Sequence, residues 1–413
     1  MDVTILIFLL VYVAMGLGKL PGFKVDRTGA AVVGALAMMI VGSIGPEAAW
    51  NAIDYKTVGM LFGLMVVSAA FVVSGFYGWV AQRVTALKVS PPALLAILIA
   101  VGGFLSAMLT NDVVVVAMTP LLVSITLARG LNPAPFLLAF CFAANTGSAG
   151  TLIGSPQNMI AAEGLSLSFN GFLMVAAVPA LISLPIVWAI VSLIYRGRWL
   201  APVGTPARAV VPADRPIGLD RSETTKALVV TIAVILAFMF SPWRRELVAL
   251  AGAGVLLVNR KISSQDVLKQ VDGDLLLLIM GLFVVNAALA ATGLPGQVLA
   301  SLKSAGLDLN NPLTLLLVGS VLSNIVGNNP TVMLLVPYLN PAVHRDALGA
   351  ALALGTGFSS SIVIFGSLAG IIVVEQAAAH GLTISFKEFS RAGVPVAVAC
   401  MALAAAWIWF LAR

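Results

Sequence analysis

Leu105-Ser106-Ala107-Met108-Leu109-Thr110-Asn111-Asp112 and Leu322-Ser323-Asn324-Ile325-Val326-Gly327-Asn328-Asn329 are two versions of one motif, 217 residues apart. Each runs through apolar sequence and stops on a polar turn. The same register pairs Pro120 with Pro337. Upstream, Asp54 pairs with Asp272, Gly63 with Gly281 and Gly75 with Gly293, at an offset of 218. Downstream, Ser168-Phe169 pairs with Ser385-Phe386, and Gly154-Ser155 with Gly366-Ser367 after a short gap. A nearly constant offset over most of a half-chain is hard to produce by chance and points to an internal repeat.

The sequence around the motif is that of a membrane protein. Of 413 residues, 60% are hydrophobic and only 10% charged, with a mean hydropathy of +1.05. A soluble domain carries about 25% charged residues. Apolar runs of spanning length recur along the whole chain, which makes lipid the solvent. The net charge of +6 excludes nothing and signals no nucleic acid, because the basic residues lie between apolar runs. Cys141 and Cys400 sit inside apolar segments and read as small buried hydrophobes. Asp2 precedes Val3–Met15 without a basic segment, so the first helix is expected to be retained.

Several runs exceed the ~20 residues that one helix needs to cross. Segments 92–128 and 312–339 read as re-entrant hairpins with tips at the midplane, and 134–162 and 348–379 as helices broken mid-membrane. The expected fold is therefore an all-α polytopic membrane protein. The N-terminal repeat covers 1–196, a hydrophilic linker 197–225, and the C-terminal repeat 226–413. Each repeat would hold five transmembrane helices and one hairpin. Five is odd, so the second repeat is inverted, a transporter architecture. The positive-inside rule places 17 of the 23 Lys and Arg residues in the cytoplasm. Both termini then face the periplasm of a bacterial inner membrane, and the linker is cytoplasmic.

Polar groups in the apolar runs are costly unless protein or a water-filled cavity satisfies them. Among the acidic residues only Asp112 and Glu375 fall inside such runs, and an ionisable residue at depth is a functional candidate. Asp112 and Asn329 both have the form of a helix N-cap. A helix start at the midplane also brings a partial positive end to a solute. Asn111, Asp112, Asn328 and Asn329 are thus expected to line the transport site. Asn145, Thr146 and Ser148 near one helix break, with Ser359, Ser360 and Ser361 near the other, complete the candidate solute ligands. Asn145, Gln157 and Asn158 carry amides that need partners. Glu375 reads either as reaching interfacial water or as part of a proton relay. Asn286 and Asn324 read as interhelical hydrogen-bond donors.

Leu109-Thr110-Asn111-Asp112 with Thr119-Pro120, Asn328-Asn329-Pro330-Thr331-Val332, and Gly366-Ser367-Leu368-Ala369 resemble motifs of the arsenite/antimonite efflux pumps. Thr151-Leu152-Ile153-Gly154-Ser155-Pro156-Gln157-Asn158 resembles the anion-permease arm of the same ion transporter superfamily, related to the divalent anion/sodium symporters. The resemblance implies a scaffold, a mobile transport unit and an elevator-like motion. It also implies coupling-ion sites at each tip: Thr110 and Asn111 with the Gly147–Gly150 break, and Gly327 and Asn328 with the Ser359–Ser361 break. The dicarboxylate symporters carry Ser-Asn-Thr at each tip, whereas this chain carries Thr-Asn-Asp and Gly-Asn-Asn. A carboxylate at one tip disfavours a doubly charged anion.

These readings converge on a secondary active transporter and not an enzyme, since no phosphate-binding glycine loop or metal-ligand cluster stands out. The first expectation is proton-coupled export of arsenite, antimonite or a similar small oxyanion or metalloid oxyacid, with Asp112 and Glu375 on the proton path. A sodium- or proton-coupled anion permease and a cation/proton antiporter are the alternatives. No cofactor is expected beyond the coupling proton or sodium ion. The lipid bilayer is the obligate partner, any ATP drive would come from a separate ATPase subunit, and a homodimer is left open.

Overall fold

The computed structural model describes residues 2–201, 218–342 and 344–412, so most of the linker expected between the repeats lies outside the described residues. Among the described residues the chain is helical, with two isolated backbone bridges and no strands. The first half contains α1 (Val3–Leu17), α2 (Arg27–Ile40), α3 (Pro46–Ala52), α4 (Tyr55–Val73) and α5 (Phe76–Thr85). It continues with α6 (Pro91–Met108), α7 (Asn111–Ala128), α8 (Pro133–Ser148), α9 (Pro156–Gly164) and α10 (Phe169–Ile194). The second half contains α11 (Arg221–Phe240), α12 (Arg245–Leu257), α13 (Ser264–Leu268), α14 (Gly273–Ala291) and α15 (Leu294–Ser304). It ends with α16 (Pro312–Val326), α17 (Asn328–Leu335), α18 (Arg345–Ser359), α19 (Leu368–Ala379) and α20 (Phe386–Leu411). Seven of these helices are long and apolar enough to cross a bilayer.

Several features recur at matching places in the two series. Gly63 of α4 packs so closely on α12 that a Cβ would sit 2.6 Å from the Ala249 carbonyl carbon. Gly281 of α14 meets Ala31 of α2 in the same way, at 2.8 Å. Both crossings need glycine because backbone meets backbone. Gly75 and Gly293, which cap α5 and α15, both take left-handed φ, at 76° and 71°. The hairpins differ in one respect. Pro120 sits inside α7 without ending it, whereas Pro337 falls in a 3₁₀ turn that follows the eight-residue α17.

Packing divides the helices into two groups. The first group is α1–α5 with α11–α15, tied by the α4/α12, α2/α14, α1/α2 and α11/α12 pairs. The second is α6–α10 with α16–α20, tied by the α6/α8, α16/α18, α8/α10, α18/α20 and α10/α20 pairs. Contacts between the groups are fewer and run through α4/α9, α5/α7, α14/α17 and α1/α16. Helices α8 and α18 are buried almost along their whole lengths, so the breaks that follow them lie deep in the molecule. Large apolar residues such as Ile40, Met174, Leu193, Phe240 and Val258 face outward, as lipid contact requires.

Candidate functional site

The helix breaks are built from polar side chains that replace missing helical hydrogen bonds. Ser155 and Ser367 take extended φ/ψ and start α9 and α19. Asn158 donates to the carbonyls of Ser148 at 3.0 Å and Thr151 at 2.8 Å, holding the end of α8 against the start of α9. Asn145 reaches across the halves and donates to Ser367 Oγ at 3.1 Å. At the first tip, the Asn111 backbone N–H donates to the Gly154 carbonyl at 2.9 Å, which docks the α6–α7 turn onto the α8–α9 break. At the second tip, Asn328 Nδ2 donates to Ser360 Oγ at 2.9 Å, and Ser323 and Ser359 share a hydroxyl contact at 3.0 Å.

Both tips open onto one cavity of about 610 Å³. Asn111, Asp112 and Gln157 line it from the first half, and Gly327, Asn328, Asn329 and Ser367 from the second. Lys19, Asp26, Arg27 and Thr28 form its outer wall with Asp272, Asp274 and Glu375. Five carboxylates therefore face two cationic groups.

The structure brings Asn111, Asp112, Gly327, Asn328, Asn329 and Glu375 together along this cavity. It does not bring the remaining candidates to its surface. Thr146 and Ser148 bond back to carbonyls of their own helix, at Phe142 and Asn145. Thr110 is held by Ser68 of α4 through both its amide and its hydroxyl, each at 3.1 Å. Gly147 lies against the Gly103 backbone, and Ser359, Ser360 and Ser361 are buried behind Asn328.

Three local expectations need correction. Asp112 is not an N-cap: Thr110 takes the cap position in extended conformation, and Asp112 falls in the first turn of α7. Asn329 is not one either, because Gly327, at φ 94° and ψ 163°, supplies the non-helical residue and α17 starts at Asn328. Asp112 is thereby spared from capping and has no hydrogen-bond or ion-pair partner among the described residues. Asn324 is not an interhelical donor, since its amide bonds Ser320 one turn back in its own helix. Asn286 does bridge helices, but as an acceptor from the Tyr12 hydroxyl at 2.9 Å.

Sequence reasoning missed Arg27, Asp272 and Asp274 because all three stand at helix starts, where they read as loop charges. Tyr12 was hidden in an apolar run, although its hydroxyl also reaches the Pro330 carbonyl beside the second tip at 3.4 Å.

A lipid-facing helical body around a deep polar cavity is the architecture of a polytopic membrane transporter. Comparison with known proteins agrees. The chain matches the citrate transporter family (CitMHS) over residues 10–349 and belongs to that family. It is 31% identical to an uncharacterised transporter of Mycobacterium tuberculosis over 98% of both chains. It is 26% identical to the silicon efflux transporter LSI3 of Oryza sativa subsp. japonica over 87% of both. The crystal structure of the YdaH transporter of Alcanivorax borkumensis matches 99% of this chain and 97% of that one, with TM-score 0.56 and 15% identity, and so shares its fold.

Proposed function

We propose that this transporter is a proton-coupled exporter of a small, weakly charged oxyacid, with arsenite and antimonite as first candidates. The observation that carries the reading is the lining of the central cavity: amides and hydroxyls at two polar tips, with carboxylates outnumbering cations. As(III) in neutral water is uncharged As(OH)3, and such a solute is not repelled by Asp112, Asp272 and Glu375. Silicon dissolves as the similarly uncharged Si(OH)4, and a relative carries silicon efflux in its name. Asp112 takes the role of proton carrier because it is partly buried at the cavity floor and spends no hydrogen bond on its own helix.

The mechanism proposed is elevator-type alternating access. The group α1–α5 with α11–α15 would stay fixed as scaffold, and α6–α10 with α16–α20 would carry the tips and breaks across. The division of packing supports it, as does the mirrored series, which we read as two inverted repeats. The cavity mouth then faces the cytoplasm, where the positive-inside rule puts the loops 19–27 and 259–273.

A second reading is supported by the family description and by Lys19 and Arg27 at the mouth: an anion permease for citrate or a similar carboxylate, coupled to sodium or protons. Five facing carboxylates make a free tricarboxylate a poorer fit. Purified protein in liposomes separates the readings. It would be offered arsenite, silicic acid, citrate, sulfate and sodium under imposed proton or sodium gradients. Uphill arsenite or silicic acid flux that collapses with an uncoupler is expected. Citrate flux without either oxyacid would overturn the proposal in favour of the permease.

A further inference from the structure

An ion pair lies at the end of the molecule opposite the cavity mouth. Arg245 Nη2 lies 2.8 Å from Glu163 Oε1, with the two side chains only 17% and 16% exposed. Arg245 also donates to the Leu167 carbonyl at 2.9 Å. Arg245 belongs to α12 of the first helix group and Glu163 to α9 of the second, so the pair joins the two groups. Beside it α9 packs along α4.

Both partners have counterparts in the mirrored half. Arg245 opens α12 four residues before Ala249, and Arg27 opens α2 four residues before Ala31, the two alanines of the equivalent glycine crossings. Glu163 follows Ser155 by eight residues, and Glu375 follows Ser367 by eight, the two serines being the equivalent helix caps. Yet Arg27 and Glu375 do not pair. Arg27 Nε donates to the Met15 carbonyl at 2.8 Å, and Glu375 is exposed. Between them runs the cavity, which separates Leu368, Ile371 and Glu375 of α19 from Leu275 and Leu278 of α14.

We propose that Arg245–Glu163 and Arg27–Glu375 are alternating latches between the two helix groups. The first is closed in the state seen here. The second closes when the cavity shuts and the opposite end opens. This inference rests on the reading of the cavity as one end of a transport pathway. Removing charges from water is costly, and their mutual attraction only partly compensates. Because each end state holds one closed pair and one hydrated pair, those costs nearly cancel between states. The equilibrium then stays close to balance, and breaking one latch tips it.

The test needs no substrate. In a Cys141→Ala/Cys400→Ala background, Leu368→Cys reports cavity opening through its rate of labelling by a membrane-impermeant maleimide, measured on vesicles of both orientations. Glu163→Gln is expected to lower that rate roughly threefold or more, and Glu375→Gln to leave it unchanged or raise it. The swap Glu163→Arg with Arg245→Glu is expected to restore the starting rate. In the same background, cross-linking Arg27→Cys to Glu375→Cys is expected to block labelling, and cross-linking Arg245→Cys to Glu163→Cys to preserve it. A slower rate in both glutamine variants would overturn the proposal. So would continued labelling after the Arg27→Cys/Glu375→Cys cross-link, or failure of that cross-link to form. Loss of liposome flux with intact labelling behaviour would count against the substrate reading alone.

Discussion

Replacing Gly63 by Ala tests whether the two α4/α12-type crossings hold the first helix group together. A Cβ at residue 63 would lie 2.6 Å from the Ala249 carbonyl carbon, 2.7 Å from its oxygen and 2.8 Å from its Cβ. Carbon atoms pack best at about 3.5–4.0 Å, so the helices must part by about 0.9 Å or more. None of the obstructing atoms is the end of a flexible side chain that could swing aside. Overpacking of this kind costs about 1–3 kcal/mol, against a gain of about 0.5–1 kcal/mol for replacing a mid-helix glycine. Gly281→Ala faces Ala31 at 2.8 Å and should lose a similar amount. Gly254→Ala is the control: it lies on α12 with nothing within 4 Å of a new Cβ and should keep only the gain. Thermal unfolding of detergent-purified variants is the assay. Gly63→Ala and Gly281→Ala should melt lower than the parent by roughly 1–3 °C, and Gly254→Ala at or above it. If Gly63→Ala and Gly254→Ala melt together, the close crossing and the mirrored packing argued from it are wrong.

Asp112→Asn should abolish gradient-driven accumulation in liposomes while leaving exchange of substrate across the membrane, because it removes the titrating group and keeps the shape; uphill flux in that variant would refute the proton role. Asn158→Ala removes two buried hydrogen bonds to the Ser148 and Thr151 carbonyls and should cost about 2 kcal/mol, read as a lower melting temperature together with loss of flux. Asp220 caps α11 through bonds from Ser222 and Glu223, and these bonds, with Lys261 nearby, hold its carboxyl down at about 2. Its unfolded value is about 3.9, so its contribution is complete above that pH and disappears as pH falls through about 2. Asp220→Asn should therefore flatten the decline in melting temperature between pH 5 and pH 2.

The membrane class and the helix breaks were legible in the sequence because lipid permits so few alternatives. A run such as 134–162 is too long for one crossing and carries Asn145-Thr146-Gly147-Ser148 at its centre, so it has to break. The structure breaks it at 149–155. The two tips were legible for the same reason. The side-chain facing was not. Thr146 and Ser359 look as available as Asn111 in sequence, yet intrahelical or neighbouring serine bonds absorb them. The caps at Asp112 and Asn329 were misplaced by two residues because Thr110 and Gly327 fit the non-helical position equally well. The placement of Arg27 and Glu375 was hidden most deeply. Arg245 pairs with Glu163, while Arg27 at the matching helix start bonds the Met15 carbonyl, and nothing in the local sequence tells the two arginines apart.

The polar groups that the protein leaves unmatched bear on what the site carries. Among the described residues, eight of the thirteen buried side-chain atoms without a protein partner cluster around the two tips. At the first they are Ser106 Oγ, Asn111 Oδ1, Ser155 Oγ and Asn158 Oδ1. At the second they are Asn324 Oδ1, Asn329 Oδ1, Thr331 Oγ1 and Ser361 Oγ. Each such atom costs about 1–3 kcal/mol when left unmet, so an even scatter through the fold would be expected if no function gathered them. Four are amide oxygens, which only accept. A sulfate or carboxylate brings more acceptors and gains nothing from them, whereas As(OH)3 and Si(OH)4 bring hydroxyl donors, and a coupling cation is itself attracted to oxygen. Competition follows from this. Silicic acid should inhibit arsenite flux at concentrations where sulfate does not, and Asn111→Asp, which keeps the acceptors and adds a charge, should weaken that inhibition less than Asn111→Leu. Equal inhibition by sulfate and silicic acid would mean that the tips do not select for hydroxyl donors.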